Sequence, residues 1–137
     1  MPAAPPAAAC GQGERPTRLF VQIYDEASRE PAAAVVRALR KATDDMIRVA
    51  PIENVTRAAA LRDQRRPVPW PQPTLIVHDP ADRACAVELA ATIRATLPVV
   101  SGRDPGVWVR DLPHTLKPSP GVIELWIPPS EGAAAAK

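Results

Sequence analysis

At 137 residues, 46% of them hydrophobic but only 4% aromatic, the chain has the material for one domain built on a lean aliphatic core. A formal charge of +2, from 17 basic and 15 acidic residues, sets up no field that demands nucleic acid or an anionic membrane, so electrostatic recognition must be local. No run approaches the ~20 apolar residues of a membrane helix, and a soluble domain without membrane insertion is expected.

The opening MPAAPPAAACGQGERP places small residues before Cys10 as a lipoprotein cleavage site does, yet lacks a basic region and a long apolar stretch. Residues 1–16 therefore read as a Pro/Ala-rich linker or tail, 17–128 as the folded domain and 129–137 as a second tail. Arg18 to Tyr24 alternates and reads as a strand, with Leu19, Val21 and Ile23 on one face and Phe20, Gln22 and Tyr24 on the other. Asp25 to Arg29 turns the chain. Glu30-Pro31 then opens a helix in which Ala32, Val35, Val36, Leu39, Thr43 and Met46 share a face. Met46 to Ala50 reads as a short strand stopped by Pro51, with residues 52–55 as an extension or turn.

Residues 56–66 carry signal for a turn or two of helix, and the alternating prolines of PVPWPQP force an extended surface connection. Thr74 to Leu97 organises the rest. Leu75, Ile76 and Val77 form a central strand between prolines, Asp79 is a helix N-cap with Pro80 in the first helical position, and Ala86, Leu89, Ala90, Ile93 and Leu97 make an apolar stripe. Arg83, Glu88 and Arg94 face water on the opposite side. Val99-Val100 begins a further strand, Ser101 to Gly106 is a turn cluster, and Gly106 to Leu112 and Val122 to Ile127 are strands by alternation. The expected fold is α+β: a mixed β-sheet in the order β-α-β-β-α-β-β with two helices packed on one face.

Four segments carry a resemblance: VQIYDEASR at Val21 to Arg29, VAPIENV at Val49 to Val55, DPADRACAVELA after the central strand, and KPSPGVIELWI at the end. In their order and spacing they resemble the C-terminal accessory domain of bacterial caspase-like and other multidomain proteins, and more distantly the LytR C-terminal domain family. Ala50-Pro51 and Val77-His78 depart from that pattern. The resemblance implies a non-catalytic module used for regulation or partner binding, with no catalytic residues to carry over. Its motifs match polar residues here at Gln22, Asp25, Glu26, Arg29, Glu53, Asn54 and Glu124.

Several groups compete as sites. Asp25, Glu26 and Arg29 with Glu53 and Asn54 fall past strand ends, where they form either a polar pocket or, the commoner outcome, caps and ion pairs. Cys10 and Cys85 make no disulfide framework and lack metal-ligand spacing, so no metal or cofactor is expected. His78-Asp79 suggests a dyad for a Cys85 nucleophile, but Cys85 falls on the inner side of its helix, where a thiol behaves as a small hydrophobe. No enzyme is expected. Arg57, Arg62, Arg65 and Arg66 against Asp63 form one basic cluster, followed by Trp70; a solvated face explains it better than a weak nucleic-acid-binding domain.

Trp108 and Trp126 fall opposite Val107, Val109, Ile123, Leu125 and Ile127 on two strands expected to pair, which puts both indoles on the sheet's outer face. With helices covering only one face, these residues mark a surface for a protein partner, for other domains of the parent protein or for self-association. The final strand offers an edge for strand addition. The expected function is a non-catalytic accessory module of a larger bacterial protein acting through protein contacts. The alternatives are an extracytoplasmic envelope-binding domain of the LytR C-terminal type and a weak nucleic-acid-binding domain using the Arg57 to Arg66 cluster, and the compartment stays open.

Overall fold

The computed structural model describes Cys10, residues 17–97 and residues 106–129. The expected Val99-Val100 strand, most of the 101–106 turn cluster, and the two tails apart from Cys10 and Pro129 lie outside those residues. Strand β1 (Thr17–Ile23) alternates as its sequence demands, with Leu19, Val21 and Ile23 buried. Asp25 closes the turn that follows: its Oδ1 accepts the Ser28 backbone N–H at 3.1 Å and the Ser28 hydroxyl at 2.5 Å. Helix α1 (Arg29–Ala42) then buries Ala32, Val35 and Leu39.

Thr43, Asp44 and Asp45 reverse the chain. Both aspartates are left-handed, at φ 52° and 59°, a region their short polar side chains tolerate. The reversal ends the helix before Met46, which is 49% exposed and not on the helix's buried face as the spacing suggested. Strands β2 (Ile47–Val49) and β3 (Glu53–Asn54) both pair in parallel with β1, end to end on one side, because Pro51 interrupts what is otherwise one edge. Asn54 caps helix α2 (Val55–Leu61), accepting the Arg57 N–H at 3.0 Å.

Strand β4 (Thr74–Val77) is buried at all four positions. Asp79 accepts the Ala81 N–H at 3.0 Å, a single 3-10 turn Pro80–Asp82 follows, and helix α3 (Arg83–Thr96) buries Cys85, Ala86, Leu89 and Ile93. Strands β5 (Trp108–Asp111) and β6 (Val122–Ile127) complete a mixed sheet in the order β2-β1-β6-β4-β5, with β3 beside β1. The parallel pairs β1/β2 and β4/β5 each need a crossover, supplied by α1 and α3, and β6 joins the two halves, parallel to β1 and antiparallel to β4. The α+β class and mixed sheet are as read from the sequence, with α2 as an additional helix. Helices α1 and α3 contact each other and share one core with Leu19, Val21, Ile23, Leu75, Val77, Ile123, Leu125 and Ile127.

Three expectations are corrected. The final strand is no edge: β6 is hydrogen-bonded on both sides, and β4 separates it from β5, so the strands of Trp126 and Trp108 do not pair. Among the described residues the edges are short and charged, β2 with an exposed Arg48 and β5 with exposed Arg110 and Asp111, which discourages strand addition. The cysteines are not a free pair. Cys10 is 1% exposed against the core and bonded to Cys85, Sγ to Sγ 2.10 Å, across a separation of 75 residues.

Candidate functional site

The sheet's outer face is built in rows, because residues in register on neighbouring strands point the same way. One row runs Glu53, Gln22, Trp126, Thr74, Trp108 across β3, β1, β6, β4 and β5; the next runs Phe20, Glu124, Ile76, Arg110. Thus Gln22, Glu53, Glu124, Trp108 and Trp126 are brought onto one surface, opposite the aliphatic residues that feed the core.

The two tryptophans lie outward as expected, but neither stands open. Residues 67–73 turn back over this face with Trp70, whose ring meets Trp108 edge to face at 6.5 Å between centroids. The Arg110 guanidinium lies 4.4 Å from the Trp108 ring centroid and 5.7 Å from that of Trp70. Tyr24 packs on Trp126 at 5.9 Å and hydrogen-bonds the backbone of Trp70. Burial pushes the Tyr24 hydroxyl up to about 12, with the Trp70 bond pulling the other way. Both indoles are half-buried rather than forming a bare patch.

At the centre of the face Glu124 collects two donors. Trp126 Nε1 donates to Oε1 at 2.9 Å, and His78 Nε2 lies 2.5 Å from Oε2. His78 Nδ1 accepts the Ser119 backbone N–H at 2.9 Å, which leaves the ring proton on Nε2 and makes His78 the donor to Glu124. His78 thus does not pair with Asp79, which caps the turn before α3. Both imidazole nitrogens are engaged, and Cys85 is held in the disulfide, so the suggested His78, Asp79 and Cys85 constellation does not form. One polar atom on this face is buried without a hydrogen-bond partner, Gln22 Oε1.

The second group gathers at the far end of β1. Glu26 accepts Arg29 Nε at 2.9 Å, Arg29 Nη2 at 3.1 Å and Asn54 Nδ2 at 2.8 Å, with Arg57 Nη2 at 4.0 Å. Those donors, Arg29 foremost, hold the Glu26 carboxyl down to about 2, and the hydrogen bond to Glu26 in turn raises the Arg29 guanidinium. Arg29 also reaches the Ile52 carbonyl at 3.2 Å. Asp25 and Asn54 are spent as caps. The residues meet, as their positions past the strand ends implied, but as a satisfied brace between α1, β3 and α2.

Arg57 turns toward that brace, so the basic cluster divides. Arg62, Arg65 and Arg66 remain exposed beyond α2 and make no ion pair among the described residues. On the helical side, an open depression of about 340 Å³ lies between Glu30, Pro31, Ala34 and Arg37 of α1 and Thr96 and Leu97 at the C-terminal end of α3. Among the described residues no three His, Cys, Asp or Glu side chains gather as metal ligands, and no helix is long and apolar enough to cross a membrane.

The chain matches no family model, no curated protein and no solved structure. The site therefore rests on its own geometry. Sequence reasoning placed Tyr24 on this face but missed His78 with Glu124, and Trp70 as part of the same surface. The available signal was alternation: Glu124 and Trp126 share the outer face of β6, and a histidine ending the central strand is within reach of it.

Proposed function

We infer that this chain is a non-catalytic accessory module of a larger bacterial protein, which captures a protein partner on the outer face of its sheet. The observation that carries this reading is the row Gln22, Trp126, Thr74, Trp108, flanked by Glu124 and Arg110, on the face that α1 and α3 leave uncovered. Half-buried indoles with polar neighbours are the side chains that dominate binding energy in protein interfaces, and rigidly held ones lose little entropy on binding. The resemblance of VQIYDEASR, VAPIENV and KPSPGVIELWI to accessory-domain motifs agrees with it.

The test is the double variant Trp108→Ala and Trp126→Ala. It should weaken capture of the parent protein's remaining domains, or self-association measured by sedimentation, while the helical circular-dichroism signal stays nearly unchanged. Capture and self-association both at wild-type strength would sink the reading.

The extracytoplasmic reading is favoured by the Cys10–Cys85 disulfide, since such bonds persist in oxidising compartments and are rare in the cytosol. Protein taken from its source cells with thiols blocked at lysis should then carry no alkylated cysteine after denaturation. Two alkylated cysteines would place it in a reducing compartment.

A further inference from the structure

We propose that residues 61–70 form a preformed docking arm, a proline-stiffened basic segment that fits an aromatic-lined groove with an acidic rim on a folded protein partner. The proposal rests on the reading of the chain as a protein-binding module and names a surface and a partner chemistry for it.

The sequence dictates the arm's shape. Prolines at 67, 69, 71 and 73 each remove a backbone donor and fix φ, and the residues before them, Arg66, Val68, Trp70 and Gln72, are driven out of the helical region. Such a stretch has no helix or ladder to join and takes the extended polyproline form, whose carbonyls stay open to a partner. Residues 65–69 accordingly make no hydrogen bond among the described residues.

Both ends of the arm are fixed. At its start, Asp63 is left-handed at φ 53° and Gln64 N–H donates to Ala59 O at 2.8 Å, which closes α2. At its end, Trp70 lodges against Trp108 and Arg110, the Thr74 hydroxyl donates to Gln72 O at 2.8 Å, and Trp108 N–H donates to Pro73 O at 2.9 Å. A segment stiff along its length and held at both ends gives up little entropy when it docks.

What it presents is a mixed surface. Val68 is 85% and Leu61 82% exposed, the two most open large apolar side chains among the described residues. Between them stand Arg62, Arg65 and Arg66 against the single acid Asp63, which concentrates in a few residues as much net charge as the whole chain carries, +2. Prolines and a valine at alternate positions suit the aromatic ridges of a polyproline-binding groove, and unpaired guanidinium groups at one end suit carboxylates on its rim. Single-stranded nucleic acid fits less well, because the only indole of the arm, Trp70, is already occupied by Trp108 and Arg110 and leaves no stacking platform.

The experiment places a photo-reactive benzoylphenylalanine at position 68 of the full-length parent protein in its own cells, with Val87 on α3, 55% exposed, as the control position. The expected result is a position-68 protein adduct whose cross-linked peptide carries aromatic residues beside Asp or Glu. The partner, once purified, should bind the unmodified protein and bind an R65E/R66E variant roughly tenfold or more weakly. Circular dichroism of R65E/R66E confirms the fold, which exposed substitutions leave intact. No adduct above the Val87 control, an adduct to nucleic acid, or a partner indifferent to R65E/R66E overturns the proposal. If W108A/W126A abolishes binding of a partner that ignores R65E/R66E, the arm fails and the outer-face reading survives. If the partner is lost with R65E/R66E but not with W108A/W126A, the arm stands without the outer face.

Discussion

His78 donates to Glu124 across the boundary between β4 and β6, and the same carboxylate takes the Trp126 indole N–H. The His78 side chain is 9% exposed, so this acceptor is hard for water to replace. Glu124→Ala abandons two donors at once, each worth about 1–3 kcal/mol when left without a partner; because the Trp126 indole is only half-buried and water can replace part of its bond, the total should be about 2–4 kcal/mol. Glu124→Gln keeps one acceptor oxygen and should cost about half as much. Urea denaturation of the two variants provides the comparison; equal, negligible losses would show that the carboxylate is not shared as described.

Tyr24 is the only tyrosine in the chain, so its phenolate band can be followed without overlap from others. Burial raises its folded-state value from 10.0 to about 12, and the protonated form is the one the fold accepts. Between those two values the unfolded chain ionises while the native chain does not. The stability contributed by Tyr24 is therefore intact below pH 10 and declines as pH rises from 10 toward 12. Tyr24→Phe should flatten that decline. A phenolate band with its midpoint near 10 in the native protein would contradict the burial.

Glu26 has the opposite sign. Its carboxyl is lowered from 4.5 to about 2 by Arg29, Asn54 and Arg57, so its contribution is present above the unfolded value and is lost as pH falls from 4.5 toward 2. The brace is exposed, and salt will weaken it. Denaturant midpoints for the wild type and Glu26→Gln, measured at a series of acid pH values, should lie apart near neutrality and converge near pH 2.

On α3, Leu89 is 1% exposed and Val87 is 55% exposed, two residues apart on opposite sides. Leu89→Ala should cost about 2–5 kcal/mol through lost transfer energy and the cavity left behind. Val87→Ala should change stability by no more than about 0.5 kcal/mol. Similar losses for the two would mean that the helix is rotated from the face described.

Which face a side chain takes was legible in the sequence, because a two-residue period is a local property. Val122 to Ile127 forms a strand over its whole predicted span, with Ile123, Leu125 and Ile127 inward, and Leu89 and Ile93 lie on the buried stripe of α3. Which strand neighbours which was not legible. Alternation says nothing of partners, so β5 and β6 were expected to pair when β4 in fact separates them. Cys10 was invisible for a related reason: it sits among alanines and prolines with no periodicity, and only the fold brings it to Cys85. Of the candidate residues, Glu26, Arg29 and Asn54 met as their places at strand ends implied. The His78 and Glu124 contact depended on a pairing between strands far apart in the chain.

The position of β6 also constrains the order in which the molecule assembles. Among the described residues this last strand is inserted between the first, β1, and β4, and no other strand joins the two crossover units. During synthesis each βαβ half emerges before the strand that links them, so the inner edges of β1 and β4 wait unpaired until residues 122–127 have left the ribosome. Long-range pairings of this kind are slow to close, and unpaired strand edges invite association with other chains while they wait. A chain cut short of residue 122 would hold two half-sheets with nothing between them, making the C-terminal strand the step on which cooperative folding depends.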